Sequence, residues 1–196
     1  MISETPVRTR AVQVLYDGWA TLKSVAFDLR RRSGDWQSQS HIVVDVGDGV
    51  TVLPYDPERG TVLLVRQFRI CAHLAAGEGF LIEACAGKLD DDTPETCAHR
   101  EVAEELGYRL HAVERLFQAF MSPGALTERL TFFLAAYTPA DRISDGGGRA
   151  DEGEDVEVLE LMLSEALAKV GDEIIDAKTI LLMQALAGSD RIRLRA

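Results

Sequence analysis

Apolar and polar residues alternate along the first part of the chain, and this pattern predicts β-strands. Val12, Val14 and Tyr16 occupy every second position, which is typical of a strand whose two faces differ in environment. Thr61–Val65 is apolar without alternation, so we expect a strand that is buried on both faces. Further strands are predicted at residues 22–28, 41–46, 50–53, 80–84, 113–120, 129–137 and 156–162.

Residues 93–107 carry the clearest helix signal in the chain. Ala98, Val102 and Leu106 recur every fourth residue, and together they make one apolar stripe. Thr93 suits the N-cap of this helix and Gly107 suits its C-terminal cap. Two more helices are predicted, one after residue 164 and one over 176–187, and loops are predicted over 72–79 and 144–155.

The order of these elements predicts an α+β fold in which helices cover a mixed sheet. We expect residues 1–45 to form a small N-terminal antiparallel β subdomain and residues 46–196 to form the main domain. The first forty residues lack an obvious core of their own. We therefore expect the N-terminal subdomain to serve dimerisation and the protein to be a homodimer.

Composition and charge exclude several classes of function. The 196 residues carry a net charge of −11, which argues against a nucleic acid partner, although a divalent cation still allows a small phosphate ligand. No segment approaches the roughly 18 apolar residues of a membrane helix, and the first residues lack the layout of a signal peptide. Cys71, Cys85 and Cys97 are odd in number, so we expect reduced thiols and a cytoplasmic protein.

Three glutamates on the best-predicted helix point to a metal site. Glu101, Glu104 and Glu105 are spaced by three and four residues, so they share one helix face and repel one another. A hard divalent cation would convert this repulsion into attraction. Arg100 lies four residues before Glu104 and is placed to hold it. The alternative interpretation is a solvated acidic helix face without a ligand.

The segment from Gly87 to Tyr108 resembles the Nudix box. The pattern of that box is Gly, five residues, Glu, seven residues, Arg-Glu, an aliphatic residue, any residue, Glu-Glu, any residue and Gly. This chain matches the pattern from Arg100 to Gly107. It differs in the first half, where Asp92 replaces the first Glu and one residue is missing. The resemblance implies a Nudix α/β/α sandwich.

The resemblance extends over about residues 10–187 and is strongest to the GDP-mannose hydrolase group of the ADP-ribose pyrophosphatase branch. Leu64–Arg69 resembles the strand that this branch places before its loop. Met121–Gly124 places a proline fifteen residues beyond Tyr108, as the branch does. The triple glycine Gly146–Gly148, followed by acidic residues and Val156–Val158, resembles the GDP-mannose group in particular.

The resemblance also implies roles for individual residues. The metal ligands are the carbonyl of Ala86 together with Glu101, Glu105 and Glu154. The catalytic set comprises Arg100, Glu104 and a loop carboxylate, which is either Glu152 or Glu154 because this loop is two residues longer than usual. Substrate contacts are implied for Arg69 and Lys178 with phosphate or sugar, for Glu128 with substrate, and for Trp19 and His41 with the base, Trp19 acting in its own or the partner subunit.

These roles imply Mg²⁺-dependent hydrolysis of the diphosphate of a nucleotide sugar, with Mn²⁺ as a substitute ion. GDP-mannose would give GMP and mannose 1-phosphate. His41 stands where the family usually has an arginine, so we expect only a modest preference for guanine. Two alternatives remain open, which are ADP-ribose hydrolysis on the same scaffold and a ligand sensor without turnover. A metal-dependent phosphate-release assay separates the sensor from the enzymes.

Overall fold

The strands of the chain form two separate sheets in the computed structural model, which describes residues 6–192. The chain divides into an N-terminal unit, which runs to Asp48 and also takes in Phe120–Arg129, and a second unit that comprises Gly49–Ala119 and the chain from Leu130 onwards. Within the described residues the strands are β1 (Val7–Asp17), β2 (Thr21–Arg30), β3 (Trp36–Asp45), β4 (Gly49–Asp56), β5 (Thr61–Phe68), β6 (Phe80–Glu83), β7 (Cys85–Lys88), β8 (Glu114–Phe120), β9 (Arg129–Ala136) and β10 (Glu157–Met162). The α-helices there are α1 (Ile70–Ala76), α2 (Pro94–Glu101), α3 (Leu163–Ala168) and α4 (Ala177–Ala187).

The N-terminal unit is a three-stranded antiparallel sheet in the order β1-β2-β3. The strand that this alternation predicted is present as β1, but Val12, Val14 and Tyr16 are all exposed in the single chain, and the register shifts between Val14 and Tyr16. The segment Phe120–Arg129 belongs to this unit, where the N–H of Val44 donates to the carbonyl of Ala125 at 2.9 Å. The apolar residues of β1 therefore find no core within their own unit.

The second unit is built on a mixed sheet in the order β10-β5-β4-β9-β8. The β4 and β9 strands run parallel, with Gly49 opposite Leu130, whereas β5 pairs antiparallel with β10, β4 and β6, and β4 pairs antiparallel with β7. Two short strands extend the sheet, β6 beside β5 and β7 beside β4. This arrangement brings the start of β4 next to β7, where Val50 lies opposite Gly87.

Helices cover both faces of this sheet. The apolar stripe of Ala98, Val102 and Leu106 is fully buried and packs with Val50 and Val65 in one core cluster. Helix α4 also contacts β4, and its own core residues are buried. Strands β4 and β5 are buried on nearly every residue, which confirms the prediction of a strand covered on both sides.

The predicted helix after Thr93 is confirmed at its N-terminus and differs near its end. The side chain of Thr93 accepts a hydrogen bond from the N–H of Thr96, as an N-cap should. From Val102 to Leu106 the chain continues as a π-helical turn before the left-handed cap at Gly107. Such a turn inserts one extra residue, and π-turns are frequent at functional sites.

The sequence interpretation missed one α-helix and one β-strand. Residues 70–76 form helix α1, although residues 72–79 were predicted to be a loop. This helix buries none of its residues, so no apolar stripe marked it, and a left-handed Gly77 ends it. Strand β7 was also missed, because its sequence of Cys85, Ala86, Gly87 and Lys88 carries no strand propensity and depends on pairing with β4.

The sequence predicts reduced thiols at all three cysteines. Cys85 and Cys97 are buried, Cys71 is exposed, and all three are free. Across residues 6–192, none of the helices has both the length and the apolar character needed to span a membrane.

Candidate active site

Two buried carboxylates lie at the centre of the site. Glu101 is 7% exposed and Glu105 is 2% exposed, whereas Glu104 is partly buried. Burial raises the pKa of Glu101 to about 7; the positive charge of Arg100 opposes this effect, and the negative charge of Glu104 adds to it. Burial also raises the pKa of Glu105 to about 7, with a further contribution from Glu101. The carboxylate pair therefore holds negative charge at a large cost unless a cation compensates it.

Strand β7 brings its backbone against these carboxylates. The N–H of Ala86 donates to Oε2 of Glu105 at 3.3 Å. A Cβ atom added at Gly87 would overlap the carboxyl carbon and Oε1 of Glu101. A side chain at position 87 would therefore force the carboxylate of Glu101 out of its present place.

Arg100 ties the helix to the loop that precedes it. Its guanidinium lies 2.8 Å from Oε1 of Glu101 and donates to Oε2 of Glu104 at 3.2 Å, as the spacing predicted. It also donates to Oδ2 of Asp92 at 3.1 Å and to the carbonyl of Lys88 at 3.2 Å. Asp92, which stands at the first acidic place of the box, thus orients Arg100.

The triple glycine packs on the end of the same helix. The N–H of Gly147 donates to the carbonyl of Glu105 at 2.9 Å, and that of Gly148 donates to the carbonyl of Glu104 at 3.1 Å. Gly146 has a φ of 69°, and a Cβ there would clash with the backbone of Glu105. The glycines therefore satisfy carbonyls at the helix end, which would otherwise lack donors.

This loop carries Glu154 towards the helix carboxylates. Oε2 of Glu154 accepts a hydrogen bond from the N–H of Arg149 at 2.8 Å. The charge of Glu154 contributes to the raised pKa of both Glu101 and Glu105, so the three groups share one electrostatic environment. The side chain of Glu152 lies outside the described part of the structure.

Glu83, which the sequence interpretation did not include, joins the two predicted phosphate-binding cations. It accepts two hydrogen bonds from the guanidinium of Arg69, at 2.9 and 3.0 Å. It also accepts one from Nζ of Lys178 at 2.6 Å, and Lys178 lies 3.0 Å from Asp176. Burial works to raise the pKa of Glu83, but the hydrogen bonds from Arg69 and the charge of Lys178 outweigh it, and this pKa lies below its usual range. A charged residue at the end of the apolar strand β6 was the available signal.

Three predicted substrate residues lie in the N-terminal unit. Trp19 is 77% exposed, so it is not a core tryptophan. His41 is exposed on β3 and packs edge-on against Phe27, with ring centroids 5.3 Å apart. Glu128 is half-buried, and its backbone carbonyl accepts a hydrogen bond from the N–H of Met121 at 3.2 Å.

The donors at the centre of the site fit a hard divalent cation. Glu101, Glu105 and Glu154 offer carboxylate oxygens, the ligand type that Mg²⁺ prefers, and the raised pKa of the two helix glutamates is relieved by positive charge. Among the described side chains, no three acidic, histidine or cysteine groups are close enough to form a metal site by themselves.

Two protein families match the chain. The Nudix domain family matches residues 46–182. The family described as the N-terminal domain of the GDP-mannose pyrophosphatase NudK matches residues 6–43.

Curated relatives are similar over nearly the whole chain. A GDP-mannose pyrophosphatase from Pectobacterium atrosepticum is 48% identical over 182 residues, covering 92% of this chain and 93% of the relative. One from Cronobacter sakazakii is 44% identical and covers 89% of this chain and 91% of the relative. Among solved structures, an ADP compounds hydrolase aligns with a TM-score of 0.71 at 17% identity, covering 98% of this chain and all of that one. This last likeness concerns the fold, and it confirms the predicted α+β Nudix architecture.

Proposed function

Because the chain belongs to the Nudix family, we propose that it is a pyrophosphohydrolase that cleaves the diphosphate of a nucleotide sugar. The proposed substrate is GDP-mannose, with GMP and mannose 1-phosphate as products. The observation that carries this proposal is the identity of 44–48% to GDP-mannose pyrophosphatases over about nine-tenths of both chains. The match of residues 6–43 to the N-terminal domain of such an enzyme supports the same substrate class.

The proposed cofactor is Mg²⁺, with Mn²⁺ as a substitute, held by the carbonyl of Ala86 and by Glu101, Glu105 and Glu154. The support is the burial of two of these carboxylates and the raised pKa that each shows. A bound divalent ion neutralises the charge of a diphosphate and lowers the pKa of water. Removing Ala86 from this set is not possible by side-chain mutation, so the carboxylates are the testable ligands.

The proposed reaction is attack by water on one phosphorus of the diphosphate. The water oxygen forms a bond to that phosphorus, the bond from the phosphorus to the bridging oxygen breaks, and the second phosphate leaves with the electron pair. The proton of the water passes to a carboxylate of the acidic loop, Glu154 or Glu152. Glu154 is favoured because its carboxylate shares the environment of Glu101 and Glu105.

Two pairs of charged residues have proposed roles in binding and positioning. Arg69 and Lys178 bind the phosphate or sugar phosphate, which their convergence on Glu83 supports. Arg100 and Glu104 keep the helix carboxylates in position, which the hydrogen bonds of Arg100 support. Arginine suits this role because its planar fork serves several acceptors at once.

The N-terminal unit has the proposed roles of dimerisation and base recognition. The exposed apolar side chains of β1 support a homodimer, since a partner would cover them. Trp19 and His41 are proposed to contact the base, and Glu128 the substrate, on the resemblance alone. A cytoplasmic location is part of the proposal, because three free cysteines fit a reducing compartment.

A substrate panel tests the proposal. GDP-mannose, ADP-ribose, UDP-glucose, NADH and FAD are compared under the same Mg²⁺ concentration, and products are identified by phosphorus NMR. We expect GDP-mannose or a close nucleotide sugar to give the highest kcat/KM. A tenfold or larger advantage for ADP-ribose would overturn the substrate but keep the reaction class. Absence of metal-dependent turnover on the whole panel would indicate a sensor.

A further inference from the structure

Gln67 on β5 has a buried amide nitrogen that makes no hydrogen bond. The residue is 8% exposed. Among the side chains that the structure describes, its Nε2 is the one buried nitrogen or oxygen atom without a partner. Buried polar groups in folded proteins nearly always have partners, and an unsatisfied donor is destabilising. Such an atom therefore points to an acceptor that the chain itself does not supply.

The strand register places Gln67 near Glu83, the glutamate that binds Arg69 and Lys178. On β5 and β6, Val65 lies opposite Glu83 and Gln67 lies opposite Leu81. Because side chains alternate along a strand and directly opposed residues share a face, Gln67, Val65 and Glu83 lie on the same face of the sheet. The exposure pattern agrees, since Arg66 and Phe68 are exposed while Gln67 is buried.

This face is the one that carries the catalytic helix. Val65 packs in the core cluster with Ala98 and Val102, and Val156 at the end of the acidic loop belongs to the same cluster. Gln67 thus lies on the face that packs against the helix of Glu101 and Glu105, diagonally across the β5–β6 pair from Glu83, which binds Arg69 and Lys178.

The chemistry of an amide suits this place. A lysine or arginine here would be drawn to the helix carboxylates and would compete with a divalent cation for them. An amide N–H is neutral, so it donates to an oxygen without this competition. An oxygen that carries negative charge is also the strongest acceptor for it.

We propose that Gln67 is a further substrate-binding residue, whose amide N–H donates to an anionic oxygen of the diphosphate. This inference rests on the proposed function for the identity of the substrate class. It assigns to the diphosphate a neutral donor in addition to Arg69 and Lys178.

The test measures binding rather than turnover. Wild type, Gln67→Met and the matched control Gln118→Met, an exposed strand glutamine, are titrated by calorimetry with non-hydrolysable imidodiphosphate in the presence of Mg²⁺, and unfolding midpoints are measured without ligand. We expect Gln67→Met to weaken binding by about 10- to 100-fold, the range for a hydrogen bond to a charged group, while its midpoint is unchanged or higher. Gln118→Met, which loses only the hydrogen bond from its amide to Thr131, should keep the wild-type affinity.

Several outcomes overturn the proposal. Unchanged affinity in Gln67→Met would remove the contact, and a lowered midpoint with equal loss of affinity in Gln67→Asn and Gln67→Met would make Gln67 a structural residue. Failure of the wild type to bind imidodiphosphate would also overturn it. If the wild type binds imidodiphosphate with the expected dependence on Gln67 but hydrolyses no nucleotide sugar, the proposed function fails while the role of Gln67 stands.

Discussion

Replacing Glu83 by glutamine tests whether the buried ion pairs of the site stabilise the fold. Glu83→Gln keeps the size of the side chain and one carbonyl acceptor, but it removes the charge that faces Arg69 and Lys178. Breaking a buried pair by removing one partner costs about 3–5 kcal/mol. Here Arg69 is 42% exposed and Lys178 keeps Asp176 at 3.0 Å. We therefore expect a smaller loss, about 2–3 kcal/mol in the free energy of unfolding at pH 7.

The matched control is Glu157→Gln, which removes the partner of Arg66. That pair joins β10 to β5 at 3.2 Å, and its side chains are 58% and 47% exposed. Exposed pairs contribute little, so we expect a change below about 0.5 kcal/mol. Urea unfolding in excess EDTA measures both variants and isolates the fold from the metal. If Glu83→Gln is no less stable than Glu157→Gln, the ion-pair argument is wrong.

The pH dependence gives a second check on Glu83. Its folded pKa lies below its usual range, so its carboxylate stabilises the protein above the unfolded pKa of about 4.3. This contribution is lost as the pH falls through the lower folded pKa. The stability difference between wild type and Glu83→Gln should thus be constant between pH 6 and pH 8 and should shrink below about pH 4. A difference that grows on acidification would contradict the assigned direction.

Three further outcomes are expected. Glu105→Gln should lower turnover at least about 100-fold with the fold intact, because it removes a buried carboxylate from the proposed metal ligands. The control Glu95→Gln changes an exposed residue of the same helix and should remain near wild type. Near-normal activity in Glu105→Gln, or wild-type turnover in excess EDTA, would refute the metal site. Gly87→Ala should displace Glu101 and cost about 1–3 kcal/mol of stability together with activity, while Gly124→Ala, whose Cβ meets nothing within 4 Å, should do neither; circular dichroism melting and the turnover assay compare them. Light scattering at micromolar concentration should give about twice the chain mass of 21.5 kDa, and a value near 21.5 kDa itself would rule out the homodimer.

Local signals made helix α2 and the long strands predictable from the sequence. Thr93 and Gly107 act through their immediate neighbours, and the stripe ending at Leu106 follows the helical period. Helix α1 could not be found in this way, because it buries no apolar residue and its stripe is absent. The π-helical turn was equally invisible, since Ala98, Val102 and Leu106 keep the four-residue spacing of an ordinary α-helix.

The box glutamates were found because they share one helix, whereas Glu83 and Gln67 depend on contacts between distant segments. Glu83 joins strand β6 to Arg69 at the end of β5 and to Lys178, which lies 95 residues further along the chain. The β5–β6 register places Gln67 on the same face as Glu83, and the alternation of apolar residues alone does not fix this register. The periodicity of the sequence therefore does not predict those site residues that depend on which strands pair with one another.

The hydrogen bonds of the triple glycine have a consequence for how such enzymes can diversify. The N–H of Gly147 donates to the carbonyl of Glu105 at 2.9 Å, and the carbonyl of Gly147 accepts from the N–H of Val156 at 3.1 Å. The seven residues 149–155, which follow the last of these glycines and precede Val156, form a closed arc. Residues can be inserted or deleted within that arc without altering the helix or strand β10, because both ends are already held. A change in loop length can thus alter how far the acidic side chains extend towards the helix, while the glycines that hold the helix end stay in place.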